Sequence, residues 1–133
     1  MNTYVLDSYA LIAYFEDEAG AGKVEKILRE AENRGVKLLL NVINWGEVYY
    51  SIYRSKGEER AEESILIIEQ LPIDVVDMNK DFIYQAARLK AHHAVALGDC
   101  MAAALALKFD CSVVTGDKEF KKFKEKIRIE WID

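Results

Sequence analysis

The sequence predicts an α/β fold, a three-layer α/β/α sandwich around a central, mostly parallel sheet. Two observations lead there. Short apolar runs at Tyr4–Leu6, Val36–Val42, Ile73–Val76 and Ser112–Thr115 alternate with segments of helical periodicity. The 133 residues are 51% hydrophobic and 31% charged, the balance of one globular domain (residues 1–133) with enough chain for a real core. No internal repeat, linker or low-complexity tract interrupts the alternation.

The elements follow in order. Tyr4–Leu6 reads as a short buried strand. Leu11, Tyr14 and Phe15 then fall at i, i+3, i+4, a helix stripe that Gly20 and Gly22 break. Val24, Ile27, Leu28 and Ala31 mark a second helix, stopped at Asn33-Arg34-Gly35 with Gly35 suited to a left-handed cap. After the strand Val36–Val42, the residues Trp45, Val48, Tyr49 and Ile52 give another helical stripe. Gly57 separates it from an acidic-faced helix with Ala61, Ile65 and Ile68 inward, and Pro72 ends that helix. Ile73–Val76 is a strand, and Asn79 caps a helix running to about Ala91. Asp99–Lys108 is apolar on nearly every face, so it belongs at the centre. Ser112–Thr115 is a strand, and Ile127–Ile129 a short edge strand.

Chain-level properties narrow the classes. A net charge of −5 argues against nonspecific coating of nucleic acid but leaves room for a local basic site. Cys100 and Cys111 form no Cys-x-x-Cys and read as buried thiols of a reducing compartment. The amino terminus has no basic n-region and meets a charge by Asp7, unlike a secretory leader. No apolar run approaches the roughly 18 residues of a membrane span. The expected location is cytoplasmic.

Four acids carry the functional argument: Asp7, Glu47, Asp99 and Asp117. Asp7 and Asp117 follow apolar runs, and Asp99 opens the apolar helix. Each aspartate also has a plain reading as a helix N-cap. Glu47 lies in a helix, where glutamate is usually just solvated. It nevertheless projects with Asn44, three residues earlier, off the Trp45–Val48–Tyr49–Ile52 stripe. In a parallel sheet the carboxyl ends of the strands share one edge, where open α/β sheets place their ligands. All four acids map to that edge. A pocket of carboxylates with no cation in its motifs is electrostatically poor unless a divalent ion fills it. A capping aspartate can still be a ligand.

The quoted motifs resemble the PIN-domain family, the fold of many small ribonucleases and of VapC-type toxins. They are Tyr-Val-Leu-Asp7-Ser8, Asn44-Trp-Gly-Glu47, Leu97-Gly98-Asp99-Cys-Met-Ala-Ala-Ala-Leu-Ala, and Val113-Val114-Thr115-Gly116-Asp117-Lys-Glu-Phe120. The resemblance spans essentially the whole chain; the last two motifs are the specific ones, and Cys100 stands where a small residue is more usual. It implies a PIN-like sandwich and a site of catalytic acids, Asp7, Glu47, Asp99 and Asp117. Asp7 and Asp99 would be direct metal ligands, with Asp117 completing the set directly or through water. Glu47 would hold or orient a water on the metal, and Thr115 would support the shell by hydrogen bonding. The resemblance further implies Mg²⁺ or Mn²⁺, an RNA substrate, a cognate antitoxin that inserts a peptide into the acidic pocket, and a homodimer.

The chemistry suits the residues. All-oxygen ligands select hard cations, and a metal both acidifies water and steadies charge on phosphoryl oxygens. No serine, cysteine or histidine nucleophile is needed. The expected function is therefore a metal-dependent endoribonuclease, the toxin of a type II toxin–antitoxin pair. The alternatives are a PIN-domain RNA-processing nuclease outside such a pair and a catalytically silent interaction domain. An Asp-nucleophile phosphatase wants a second aspartate two residues after the first, and here Ser8-Tyr9 follow Asp7. A phosphorylated receiver wants an early carboxylate pair, which is also missing.

Other features have two readings. Lys118, Lys121, Lys122, Lys124, Lys126 and Arg128 follow Asp117; they either contact RNA (Lys118, Lys121 and Lys122 foremost) or form the solvated face of an amphipathic helix with Phe120 and Phe123 inward. Glu119 is an extra acid or a plain exposed one. Tyr9, Tyr14, Tyr49, Tyr50 and Tyr53 can stack bases, though tyrosines at helical spacing usually pack. His92 and His93 are adjacent and cannot easily face one ion; a helix C-terminal role suits them.

Overall fold

The computed structural model describes residues 2–133. Five strands form one sheet: β1 (Asn2–Leu6), β2 (Val36–Asn41), β3 (Ile73–Val76), β4 (Ser112–Thr115) and β5 (Ile129–Trp131). Their spatial order is β3-β2-β1-β4-β5, and every pairing is parallel. The sheet is wholly parallel rather than mostly so. The helices are α1 (Ser8–Phe15), α2 (Ala21–Glu32), α3 (Val42–Lys56), α4 (Glu58–Gln70), α5 (Lys80–His92) and α6 (Leu97–Phe109), followed by a 3₁₀ segment, Lys118–Lys126.

Strand alternation divides the core in two. Val5, Leu39 and Val113 face α5, α6 and the 3₁₀ segment, where Ala103, Leu105, Phe120 and Phe123 pack. Leu6, Leu38, Leu40 and Val114 face the other way, toward Leu11, Val24, Val48 and Ile68 of α1–α4. Adjacent strand residues thus serve opposite cores, which explains why the strands read as continuous apolar runs. α6 is buried along Cys100–Ala106, as its all-round apolar sequence requires. Among the described residues no helix is long and apolar enough to cross a membrane.

The chain runs outward from β1 in both directions, to β2 and β3 on one side and to β4 and β5 on the other. The carboxyl ends of β1 and β4 therefore flank the point where the winding reverses, the place where open α/β sheets put their ligands.

Several boundaries differ from the sequence reading. The second strand stops at Asn41, and Val42 already belongs to α3, because the Asn41 side chain accepts from Asn44 N at 2.8 Å and starts the helix. Gly20 (φ +93°) precedes α2, but Gly22 lies inside it and breaks nothing. Arg34, not Gly35, takes the left-handed conformation after α2, with φ +61°. α6 begins at Leu97, so Asp99 sits within its first turn and caps nothing. The edge strand is Ile129–Trp131 instead of Ile127–Ile129, since Ile127 is drawn into the core. The basic segment is a 3₁₀ stretch kinked at Lys124, not a regular amphipathic helix, although Phe120 and Phe123 do point inward. α5 follows its Asn79 cap, which accepts from Phe82 N, and ends at His92.

Candidate metal centre

Each acid reaches the carboxyl edge by a different route. Asp7 directly follows β1 and caps α1, its Oδ1 accepting from Ala10 N at 2.9 Å. Asp117 follows β4 after Gly116 and caps the 3₁₀ segment, accepting from Glu119 N at 2.9 Å. α6 feeds β4 at the amino edge, so its first turn, with Asp99, lies at the opposite edge. Glu47 stands in the second turn of α3, which starts where β2 ends.

Asp7 is fully buried; Glu47, Asp99 and Asp117 are half-buried. Burial, then repulsion from Asp99 and Asp117, lifts the Asp7 carboxyl to about 8 against an opposing pull from the Thr115 hydroxyl and the Ala10 N–H. The Thr115 hydroxyl favours the charged form by proximity, yet Oδ2 of Asp7 has no partner within hydrogen-bond geometry. Asp99 is raised to about 7, first by burial, then by the charges of Asp117 and Glu47, a carboxyl–carboxyl hydrogen bond with Asp117, and Glu119. These mutual effects place Asp7, Asp99 and Asp117 in one electrostatic unit, with Glu47 acting on it through Asp99. None of the ion pairs among the described residues involves any of the four; those pairs are Lys23–Glu130, Arg29–Glu25, Lys122–Glu119 and Arg128–Asp110.

Among the described residues, no three such side chains already surround one point as metal ligands. The donor chemistry nevertheless fits a hard divalent ion. It is all oxygen, it includes a buried carboxylate oxygen without a partner, and its charged forms are disfavoured by one another.

A supporting shell holds Glu47. Asn44 donates from Nδ2 to Glu47 Oε1 at 2.6 Å and to the Gly98 carbonyl at 3.3 Å. Asn41 in turn donates to Asn44 Oδ1 at 2.6 Å. Both asparagines are wholly buried. Asn44 thus lies beneath the surface beside Glu47 rather than projecting with it. Gly98 completes the fit: a Cβ there would come within 2.9 Å of Glu47 Cδ. Asn41 and Gly98 escaped the sequence reading as supporting residues. The signal for Asn41 was a polar residue ending an apolar run three positions before Asn44. Thr115 is buried, and its Oγ1 accepts from Asp117 N at 2.9 Å, which shapes the turn that presents Asp117.

The remaining candidates fall outside the acidic centre. Lys122 is occupied, donating to the Ala94 carbonyl at 3.1 Å and pairing with Glu119 at 2.9 Å. Lys121 lies over the Trp131 ring, 5.8 Å from its centroid. Lys118 is exposed. His93 sets its Nδ1 against the Leu89 carbonyl at 2.8 Å and its ring edge-on to Phe123, while His92 closes α5. Cys100 and Cys111 are buried free thiols, as read.

Known proteins share this arrangement of elements. A family model described as PIN domain matches residues 4–126. DNA-bound VapBC from Salmonella typhimurium has a chain of TM-score 0.76 and 20% identity, with both chains covered over 100% of their length. A chain of VapBC2 from Rickettsia felis, bound to a promoter DNA fragment, gives 0.75 at 16% identity, over 97% of this chain and 98% of that one. The Mycobacterium tuberculosis toxin VapC20, described as cleaving the sarcin-ricin loop, gives 0.72 at 17% identity, over 90% of this chain and 93% of that one. No curated protein is similar enough in sequence to count as a match. With its whole strand–helix series from Tyr4 to Lys126 covered by that model, the chain belongs to the PIN domain family.

Proposed function

We propose that this chain is an endoribonuclease dependent on Mg²⁺ or Mn²⁺, and that it serves as the toxin of a type II toxin–antitoxin pair. The observation that carries the reading is the cluster of carboxyls at the carboxyl edge of β1 and β4, unneutralised by any ion pair and holding one buried oxygen without a partner. Such a cluster is unfavourable by itself, and a bound divalent cation relieves it.

A divalent ion bound there supplies Lewis-acid charge to the phosphoryl oxygens and acidifies water. Asp7 and Asp99 would hold it, with Asp117 completing the set. Glu47, oriented by Asn44, would position a water near the scissile phosphate. Thr115 would support Asp117 through its bond to the Asp117 N–H. The similarity to chains of VapBC complexes supports an antitoxin partner, and an acidic pocket accepts an arginine or lysine from such a partner's peptide. A second copy of the chain is the further partner we propose.

The test is incubation of pure protein with a mixed small-RNA pool, with Mn²⁺, with EDTA, and with the Asp99→Asn variant. Discrete cuts that need metal and vanish in the variant are expected. Absence of metal-dependent cleavage across all RNA classes would leave a silent interaction domain as the better account.

A further inference from the structure

Of the five tyrosines able to stack on bases, four are placed elsewhere. Tyr14 packs edge-on against Phe15, Tyr49 bonds Glu62, Tyr53 lies against Tyr49, and Tyr50 sits under the Arg54 guanidinium on α3. Tyr9 differs. It occupies the first turn of α1, two residues after Asp7, and is 41% exposed. Its ring rests against Gly116, the residue just before Asp117: a Cβ at 116 would come to 2.6 Å from Tyr9 Cε1. Gly116 does not have a positive φ, so its backbone does not demand glycine. The missing side chain makes room for the Tyr9 ring and for Ile132, whose Cγ1 would be 3.1 Å from the same Cβ. An aromatic ring is thereby seated against the loop that joins β4 to Asp117.

The surroundings specify what such a ring can bind. Asp133, Glu18, Asp117 and Asp7 all act electrostatically on its phenol. The ring itself carries no charge, so it meets a polyanion through an uncharged part. In a nucleic acid that part is the base, and stacking on an aromatic face needs no charge and tolerates any sequence. A phosphate placed at the acids is flanked by nucleosides, one of which then lies over this corner.

On the ribonuclease reading above, we propose that Tyr9 is a substrate-binding residue that stacks on an unpaired base next to the scissile phosphodiester.

The test is steady-state cleavage at the strongest cut in the small-RNA pool, followed across RNA concentrations for wild type, Tyr9→Ala and Tyr9→Phe, with Mn²⁺ binding measured in parallel. Tyr9→Ala should raise KM about 10-fold, with a smaller effect on kcat. Tyr9→Phe, which keeps the ring, should restore most of the affinity, and all three should bind Mn²⁺ alike. A Tyr9→Ala enzyme with wild-type KM would overturn the proposal and leave the ribonuclease reading standing. So would a Tyr9→Phe enzyme as impaired as Tyr9→Ala, because the hydroxyl would then be the contact. Wild type that cuts no RNA would refute both.

Discussion

Asp99 stands in the first turn of α6 rather than ahead of it, so the helix amides do not consume its carboxyl. It is free to share a proton with Asp117. Asp7 spends one oxygen on its cap and keeps the other unpartnered. On the proposed reading, capping and metal binding would divide a single carboxylate between them. Replacing either residue with asparagine keeps the shape and removes the charge. Asp7→Asn and Asp99→Asn should each lose more RNA-cleaving activity than the roughly 10–100-fold expected of a supporting residue. Asn44→Ala should fall within that 10–100-fold range, since Glu47 stays but loses its orienting hydrogen bond. Initial rates at saturating Mn²⁺ distinguish the two classes. The four acids stood out in the sequence because each follows or interrupts an apolar pattern. Gly98 was not readable there, because its role depends on a contact between α3 and α6, some fifty residues apart, that no local pattern encodes.

At the scale of elements, two glycines separate function from stability. Gly98 lets the start of α6 approach Glu47 on α3; the Gly98→Ala methyl would meet the carboxylate itself. Its prediction is a rate loss of at least about 10-fold, the order seen when a supporting contact is disturbed, with urea unfolding little changed. Gly20 has φ +93°, and a Cβ there would lie 2.6 Å from Ile132 Cγ1. Gly20→Ala should instead destabilise the fold by about 1–3 kcal/mol in urea unfolding and leave the rate per folded molecule intact. The elements themselves were readable, since periodicity separates strand from helix with little ambiguity in runs such as Val24–Ala31. Their ends were read less well. The Asn41 cap, the left-handed turn at Arg34 and the kink at Lys124 are decided by single hydrogen bonds and backbone angles.

At the scale of the whole molecule, the acid cluster costs stability above the carboxyls' ordinary range, and the proposed cation would restore it. Asp7 rises from 3.8 to about 8 and Asp99 from 3.8 to about 7 on folding. Between those limits the folded chain binds protons that the unfolded chain has released, so stability falls as pH rises. In EDTA, the melting temperature should decline steadily from about pH 4 to pH 8. Asp7→Asn should flatten that decline and melt on the order of 5 °C above wild type at pH 8. Adding Mn²⁺ should raise the wild type at pH 8 and leave Asp7→Asn nearly unmoved.

The most direct measurement is calorimetric titration of Mn²⁺ into wild type and Asp99→Asn at pH 7, in two buffers of different ionisation enthalpy. We predict saturable binding by wild type, with heats that differ between the buffers because the metal displaces protons from Asp7 and Asp99. Asp99→Asn should bind far more weakly. Wild type that binds no Mn²⁺, or a variant that binds it equally well, would contradict the assignment of these acids as the metal centre.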